Sequence, residues 1–143
     1  SYIDQNGEKK VPFVIHRSSI GCYERTLAML IEKYAGAFPL WISPVQVKLL
    51  SVTDRSVEYT KAVADKLTYA GIRVETDFRS EKIGRKIRDA QLEKVPYMLI
   101  LGDKEVENGA TVSVRERSGE SYEMTTDEFI AKVVAEDKNK VIK

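Results

Sequence analysis

Charged side chains follow directly after the most hydrophobic run of the chain, Tyr97–Leu101. The run is long enough for a strand covered on both faces, and ligands of open α/β sheets bind at the carboxyl ends of such strands. Glu105 lies just beyond it, and Arg115 and Arg117 both lie on the polar face of the next predicted strand. A carboxylate and an arginine together can read unpaired nucleic-acid bases. The alternative is an ordinary surface ion pair.

A basic helix is predicted just before that run. Residues 79–94 carry six cations and three anions, a local balance of +3 in a chain whose net charge is +1. The cations are Arg79, Lys82, Arg85, Lys86, Arg88 and Lys94. Ile83, Ile87 and Ala90 recur at i, i+4 and i+7 and define the apolar face, so the cations are assigned mostly to the remaining surface. A polyanion site and a solvated helix face remain equal alternatives on charge alone.

Three N-terminal residues have other chemistry. His16 is the single histidine, and one histidine cannot make a zinc site, which needs three or four protein ligands; a structural histidine at a strand end is favoured. Cys22, the single cysteine, has no histidine nearby in sequence and is interpreted as an inert thiol. Arg25 at a predicted helix start opposes the macrodipole. An arginine aimed at a ligand phosphate explains its position better than solvation does.

Composition excludes several classes of protein. A net charge of +1 excludes a globally basic nucleic-acid binder, so any RNA site must be a local patch. One cysteine excludes an internal disulfide and fits a reducing compartment. No apolar run approaches the length of a membrane span. At 143 residues, one domain of ordinary size, or one domain plus an appendage, is expected.

The order of predicted elements indicates an α/β fold. The first predicted elements are a hairpin, formed by Tyr2-Ile3 with a strand over 11–16, and a helix over 22–34. A segment with two prolines follows them. From residue 45 strands and helices alternate, which predicts a parallel sheet with right-handed crossovers. The predicted strands cover 45–52, 72–76, 97–101, 111–117 and 122–124. The predicted helices are 56–70, the basic helix, and one opened by the capping box of Thr125 and Glu128.

Several stretches resemble one enzyme family. Residues 11–17, 21–27 and 33–44, with Gly-Ala-Phe-Pro-Leu-Trp at the junction, resemble the end of the catalytic domain of threonyl-tRNA synthetases, which are class II enzymes. Residues 78–88, 94–98 and 102–109 resemble the anticodon-binding domain of the same family.

The resemblance implies an architecture. Residues 1–44 are a hairpin and helix remnant of an antiparallel catalytic domain that carries the third signature motif. Residues 45–143 are an α/β anticodon-binding domain with a mixed, mainly parallel sheet of about five strands and three helices. The chain is then an excised portion of a much larger cytoplasmic enzyme, a homodimer at full length, that does not act at a membrane.

The resemblance also assigns roles in the N-terminal part. Arg25 matches the signature arginine that contacts the ATP phosphates, and Gly21 and Cys22 fall in the active-site loop. His16 matches a ligand of the zinc that recognises threonine. The remaining ligands and signature motifs are not in this sequence. ATP and zinc are therefore expected in the full-length enzyme, while this chain is expected to bind neither firmly and not to aminoacylate.

In the C-terminal part the resemblance implies recognition of a tRNA with a threonine anticodon. Glu105 and Arg115 match residues that contact its last two bases, guanine and uracil. Lys82 lies at the matching helix start, and Ser80 stands where some relatives carry an asparagine that contacts the anticodon. Arg79 and Arg85 are assigned to the RNA phosphates.

Two readings of a different class remain. One is a non-catalytic accessory or regulatory module that reuses the anticodon-binding fold for dimerisation or for other RNA, although such a module has no need of Arg25. The other is a plain protein-interaction domain.

Overall fold

A computed structural model describes residues 1–18 and 21–142 of the chain. Within these residues, five strands form the main sheet, and a separate two-stranded hairpin precedes it. The hairpin strands are β1 (Tyr2–Ile3) and β2 (Lys9–Lys10). The sheet strands are β3 (Val47–Ser51), β4 (Val74–Asp77), β5 (Tyr97–Leu101), β6 (Thr111–Glu116) and β7 (Ser121–Thr125). The predicted α/β fold is confirmed.

The sheet is mixed, as predicted, with the strand order β4-β3-β5-β6-β7. Strand β3 pairs parallel with β4 and β5, while β6 pairs antiparallel with β5 and β7. Within this five-stranded sheet, parallel and antiparallel pairings are thus two each, because the turns after residue 108 and around Gly119 return the chain directly beside its neighbour.

Five α-helices lie in the described part of the chain: α1 (Tyr23–Tyr34), α2 (Val57–Tyr69), α3 (Ile83–Leu92), α4 (Asp103–Asn108) and α5 (Thr126–Lys138). The capping box that opens α5 is confirmed, since Glu128 N donates to Thr125 Oγ1 and Thr125 N donates back to Glu128 Oε2. The short helix α4 was not predicted, because its six residues offer no apolar period to read. None of the described helices is long and apolar enough to cross a lipid bilayer.

The two faces of the sheet are covered differently. Helices α2 and α5 pack on one face, where Leu67 of α2 and Phe129 of α5 are fully buried with Leu99 of β5. Helix α3 packs on the other face through the predicted stripe, in a smaller cluster centred on Ala90 and Met98. Because β6 and β7 lie beyond α3, that face carries the side chains available for a ligand.

The predicted strand over 11–16 is wrong. The hairpin forms around its predicted turn, but its second strand is Lys9–Lys10, and residues 11–18 have no regular secondary structure. Phe13 and its apolar neighbours are exposed, and α1 buries none of its residues. A strand needs a hydrogen-bonded partner and a face to pack on, and the described part of the chain supplies neither here.

Two arginines of the main domain hold the segment that joins α1 to β3. Arg73 donates from Nε to Ser43 O and from a terminal nitrogen to Trp41 O, each at 3.0 Å. Arg117 donates to Phe38 O at 2.9 Å. Charged donors make strong hydrogen bonds to carbonyls, so the segment is fixed to the sheet although it has little secondary structure of its own.

Replacement of Arg73 by alanine is expected to loosen this segment. Ser43 is buried, so its carbonyl loses a partner that water does not fully replace, which costs about 1–3 kcal/mol. Trp41 is the single tryptophan, so its emission should shift to the red and acrylamide should quench it more. Arg88→Ala, a loss of the same side chain at an exposed position of α3, should leave both unchanged. Unchanged Trp41 fluorescence in Arg73→Ala would contradict this role.

Candidate nucleic-acid interface

The parallel strands end side by side at one edge of the sheet. Ser51 pairs with Leu101, and Leu50 pairs with Asp77, so β3, β4 and β5 terminate together. The chain leaves this edge in three segments, 52–56, 78–82 and 102–108. Two of them contain Ser80, Lys82 and Glu105, which the sequence proposed as RNA-binding residues from positions far apart in the chain. The fold therefore brings them to one edge, the position at which open α/β sheets bind ligands.

Glu105 is a buried carboxylate held at both oxygens. Its Oε2 accepts from Gly102 N at 2.8 Å and its Oε1 accepts from Ser113 Oγ at 2.6 Å. Burial by itself raises the pKa of Glu105, but the hydrogen bonds from Ser113 and Gly102 outweigh it, so the pKa lies below its ordinary value. The side chain is therefore charged and rigid. A carboxylate has about four acceptor sites, which is more than the two that these hydrogen bonds occupy.

Arg115 lies on the same face of β6 as Ser113, the residue that donates a hydrogen bond to Glu105. Strand β6 pairs Ser113 with Ile100 and Arg115 with Met98, which places both residues on the face that α3 covers only in part. Two residues along a strand span about 7 Å. Arg115 is half-buried, and its Nε is buried without a hydrogen-bond partner among the described residues. The predicted pair is thus brought to one face, with Ser113 between its members.

The loop after β4 is anchored by ion pairs. Arg79 binds Asp77 with two nitrogens and reaches Asp89 at 2.9 Å. These hydrogen bonds, opposed by burial, hold the pKa of Asp77 below its usual range. Arg79 was proposed as an RNA contact, but two carboxylates offset its charge. Ser80 next to it is exposed.

Helix α3 is less basic on its surface than its composition indicates. Lys86 is only 2 % exposed, and its Nζ donates to Ser51 O at 2.9 Å and to Asp77 O at 3.2 Å. The prediction that Lys86 lies on the surface is wrong. Lys86 follows Ile83 by three residues, so it lies on the apolar face of the helix, where it hydrogen-bonds to the carbonyls at the ends of β3 and β4. Lys94 donates to a carbonyl of the segment before β3. Arg85 pairs with Glu81.

Lys82 and Arg88 remain as exposed cations of α3 that have no acidic partner within 4 Å in the described structure. Lys82 precedes the first turn of the helix, which contains no acidic residue. Helix N-termini favour anions through their unpaired N–H groups and dipole. An open cavity of about 270 Å³ beside Lys82 is also lined by Val52, Phe78 and Ser80.

The comparison with known protein families decides what kind of fold this is. Residues 42–136 match the family model described as "Anticodon binding domain". This chain belongs to the anticodon-binding domain family.

Relatives and a solved structure place this anticodon-binding domain within larger proteins. The chain is 56 % identical over 140 residues to threonine–tRNA ligase of Clostridium perfringens strain SM101, covering 97 % of this chain and 22 % of that protein. It is 62 % identical over 120 residues to the ligase of Clostridium botulinum strain Eklund 17B, covering 84 % of this chain and 18 % of that protein. The chain therefore spans about a fifth of the curated relatives it matches.

The crystal structure of the RNA binding domain of threonyl-tRNA synthetase from Cryptosporidium parvum Iowa II is similar, with a TM-score of 0.74. It is 34 % identical to this chain, and the match covers 78 % of this chain and 28 % of that one.

Ahead of the anticodon-binding domain, the residues that the structure describes do not assemble a site of their own. His16 and Arg25 are exposed, and no group of three or more metal-ligating side chains occurs among the described residues. The residues present therefore do not fit a zinc ion. Gly21 has a φ of +79°, and the exposed Cys22 Sγ donates to Glu24 Oε2 at 2.6 Å. Nothing in the described structure gathers these residues around a nucleotide.

Two residues at the interface had no role in the sequence analysis. Val52 and Phe78 are large apolar side chains placed just after the ends of β3 and β4, and both remain substantially exposed. The sequence signal that could have identified Phe78 is a large apolar residue that follows a strand and directly precedes a basic segment. The strand pairing that brings Val52 and Phe78 together is not visible in the sequence.

Proposed function

We propose that this chain recognises the anticodon loop of a threonine tRNA as part of a threonine–tRNA ligase, an enzyme that uses ATP to attach threonine to its tRNA. The observation that carries the proposal is the convergence of Glu105 with Ser80 and Lys82 on one edge of an anticodon-binding domain. Identity of 52–62 % to threonine–tRNA ligases over most of the chain supports the choice of amino acid.

In this proposal each side chain has a role. Glu105 accepts hydrogen bonds from a base, with its orientation fixed by Ser113 and Gly102. Arg115 donates to the neighbouring base, and Ser80 bonds a base or phosphate. Lys82 binds phosphate without regard to sequence, as phosphate contacts do. Arg79 and Arg85, whose charges are offset by carboxylates, contribute mainly by shaping the loop.

Within residues 1–44, the part up to the end of α1 is proposed to pack on the remaining part of the ligase. The exposed apolar side chains of residues 11–15 and the helix α1 without buried residues support this, because contiguous exposed apolar surface marks an interaction site. Arg25, with Gly21 and Cys22, would contact ATP only in that context. His16 would need further zinc ligands from outside this chain. The homodimer and the cytoplasmic location of the ligase stay predictions, and the chain alone is proposed to be inactive.

Fluorescence anisotropy with two RNA stem-loops tests the proposal. One carries a threonine anticodon and the other differs only at the middle base. We expect about 5- to 150-fold tighter binding of the first, since one base-specific contact is worth about 1–3 kcal/mol. Equal, salt-sensitive binding of both would favour an accessory RNA-binding module. Absence of binding at any salt would contradict RNA recognition by this chain.

Replacement of Lys82 by alanine should weaken both stem-loops alike. The slope of log K against log salt should fall by roughly one unit, because one phosphate contact is lost. Arg85→Ala should have a smaller effect, since Glu81 already offsets its charge. Lys61→Ala on α2, an exposed lysine on the opposite side of the sheet, is the matched control and should change nothing. An unchanged slope in Lys82→Ala would remove Lys82 from the interface.

A further inference from the structure

Phe78 is an aromatic side chain left outside both cores. It follows the last residue of β4, is 40 % exposed and is not among the buried or partly buried residues of the core clusters. Val52, 43 % exposed, follows the last residue of the neighbouring strand β3. The two residues line the same cavity of about 270 Å³. Single exposed apolar residues are ordinary, but two of them at the ligand-binding edge of the sheet form a local apolar surface.

The surroundings of Phe78 are polar and carry charges of both signs. Ser80 and Lys82 line the cavity that Phe78 shares with Val52. On its other side Phe78 borders a second open cavity of about 470 Å³ beside α3. No other aromatic ring stacks on Phe78 in the described part of the chain. An open ring next to a free cation fits a nucleotide, because the ring can take the base and the cation its phosphate.

The position of Phe78 is fixed by its neighbours in sequence. Asp77 is buried, and Arg79 is bound to Asp77 and Asp89. The backbone that carries Phe78 therefore needs little ordering on binding, so less binding energy is lost to ordering.

Val52 also lies close to Glu105. A Cβ on Gly102 would lie 3.5 Å from both Val52 Cβ and Glu105 Oε2. Val52 lines the same cavity as Phe78, so the apolar surface and the proposed base reader lie at the same end of the strands.

We propose that Phe78 is a stacking platform for an unpaired base of the bound RNA loop, with Val52 completing the apolar surface and Lys82 binding the phosphate. The inference rests on the proposed function and adds a contact that is independent of base identity. Stacking on an aromatic side chain is worth about 1–3 kcal/mol per base and tolerates every base. Phe78 thus supplies affinity for the RNA loop, while Glu105 supplies discrimination between bases.

The test uses the whole chain and the two stem-loops described above. Phe78→Ala is expected to weaken both about tenfold, with the preference between them kept and the salt slope unchanged, because no charge is removed. Phe78→Leu keeps the apolar bulk without a π face and should lose nearly as much, whereas Phe78→Trp should bind at least as tightly as the original chain. Tyr69→Ala, an almost fully exposed aromatic at the end of α2, is the control.

The outcomes separate the two proposals. Binding by Phe78→Ala or by Phe78→Leu equal to that of the unchanged chain would overturn the stacking role and leave anticodon recognition intact. Failure of the unchanged chain to bind either stem-loop would overturn both. A direct readout places 2-aminopurine at each loop position in turn: one position should be quenched with Phe78 or its tryptophan variant and unquenched with the alanine variant. Quenching that is independent of residue 78 would also overturn the stacking role.

Discussion

Replacement of Lys86 by methionine is expected to lower the free energy of unfolding by about 3 kcal/mol, the low end of the cost of removing one partner of a buried charged pair. Methionine fills similar space but donates no hydrogen bond. The carbonyls of Ser51 and Asp77, at the buried ends of β3 and β4, would lose their donor. The low end applies because Arg79 continues to pair with the Asp77 carboxylate, which lies 4.0 Å from Lys86 Nζ.

Urea denaturation followed by circular dichroism measures this effect. The midpoint should fall while the m-value stays the same, because the surface exposed on unfolding is unchanged. Lys82→Met, the same replacement at the exposed residue directly before α3, is the matched control and should stay within about 0.5 kcal/mol of the original chain. A midpoint for Lys86→Met equal to that of the control would mean that the Lys86 hydrogen bonds contribute little to stability.

Replacement of Glu105 by glutamine is expected to reduce discrimination between the two stem-loops about tenfold. The amide can accept at one atom only, so it cannot hold Gly102 N and Ser113 Oγ as the carboxylate does and still present an acceptor to a base. The same change should cost about 1–3 kcal/mol of stability, since a buried donor loses its partner. Glu107→Gln on the same short helix is exposed and removes the same charge, so it should leave both quantities unchanged.

The two readouts separate a structural role of Glu105 from base recognition. Loss of stability with intact discrimination would leave Glu105 as a helix-capping residue alone, and the base-reading role would be withdrawn.

The dependence of stability on pH provides a further check on Glu105. Because the pKa of Glu105 is lowered on folding, its charge stabilises the fold above the ordinary glutamate pKa of about 4.3, and this contribution is lost as the pH falls through the lower folded value. Stability of Glu105→Gln should therefore depend less on pH in that range.

Elements with a regular apolar period could be predicted from the sequence alone. The stripe of Ile83, Ile87 and Ala90 packs as its spacing indicates, and β5 is buried as its apolar run requires. The capping box of Thr125 places the start of α5 correctly. These features are local, because the hydrogen bonds and the face that a residue presents depend on neighbours within a few positions.

Features that depend on distant partners could not be predicted in this way. Residues 11–16 have the composition of a strand but no strand to pair with in the described structure. Ser113 ties Glu105 to β6 eight residues farther along the chain, which makes the proposed base reader also a part of the fold. Val52 and Phe78 line one cavity only because β3 and β4 pair across an intervening helix.

By itself, then, the sequence determined the α/β alternation, the apolar stripe of α3 and the edge of the sheet at which charged residues gather. The tertiary structure decided which of those charges face solvent. Lys86 lies inside and Lys82 outside, although both are lysines of one basic segment, because the ends of two strands supply buried carbonyls that only Lys86 can reach. The composition gives only the number of charges, whereas an interface depends on which charges remain unpaired after folding. For Lys86 this is decided by carbonyls that lie 9 and 35 residues away in the chain.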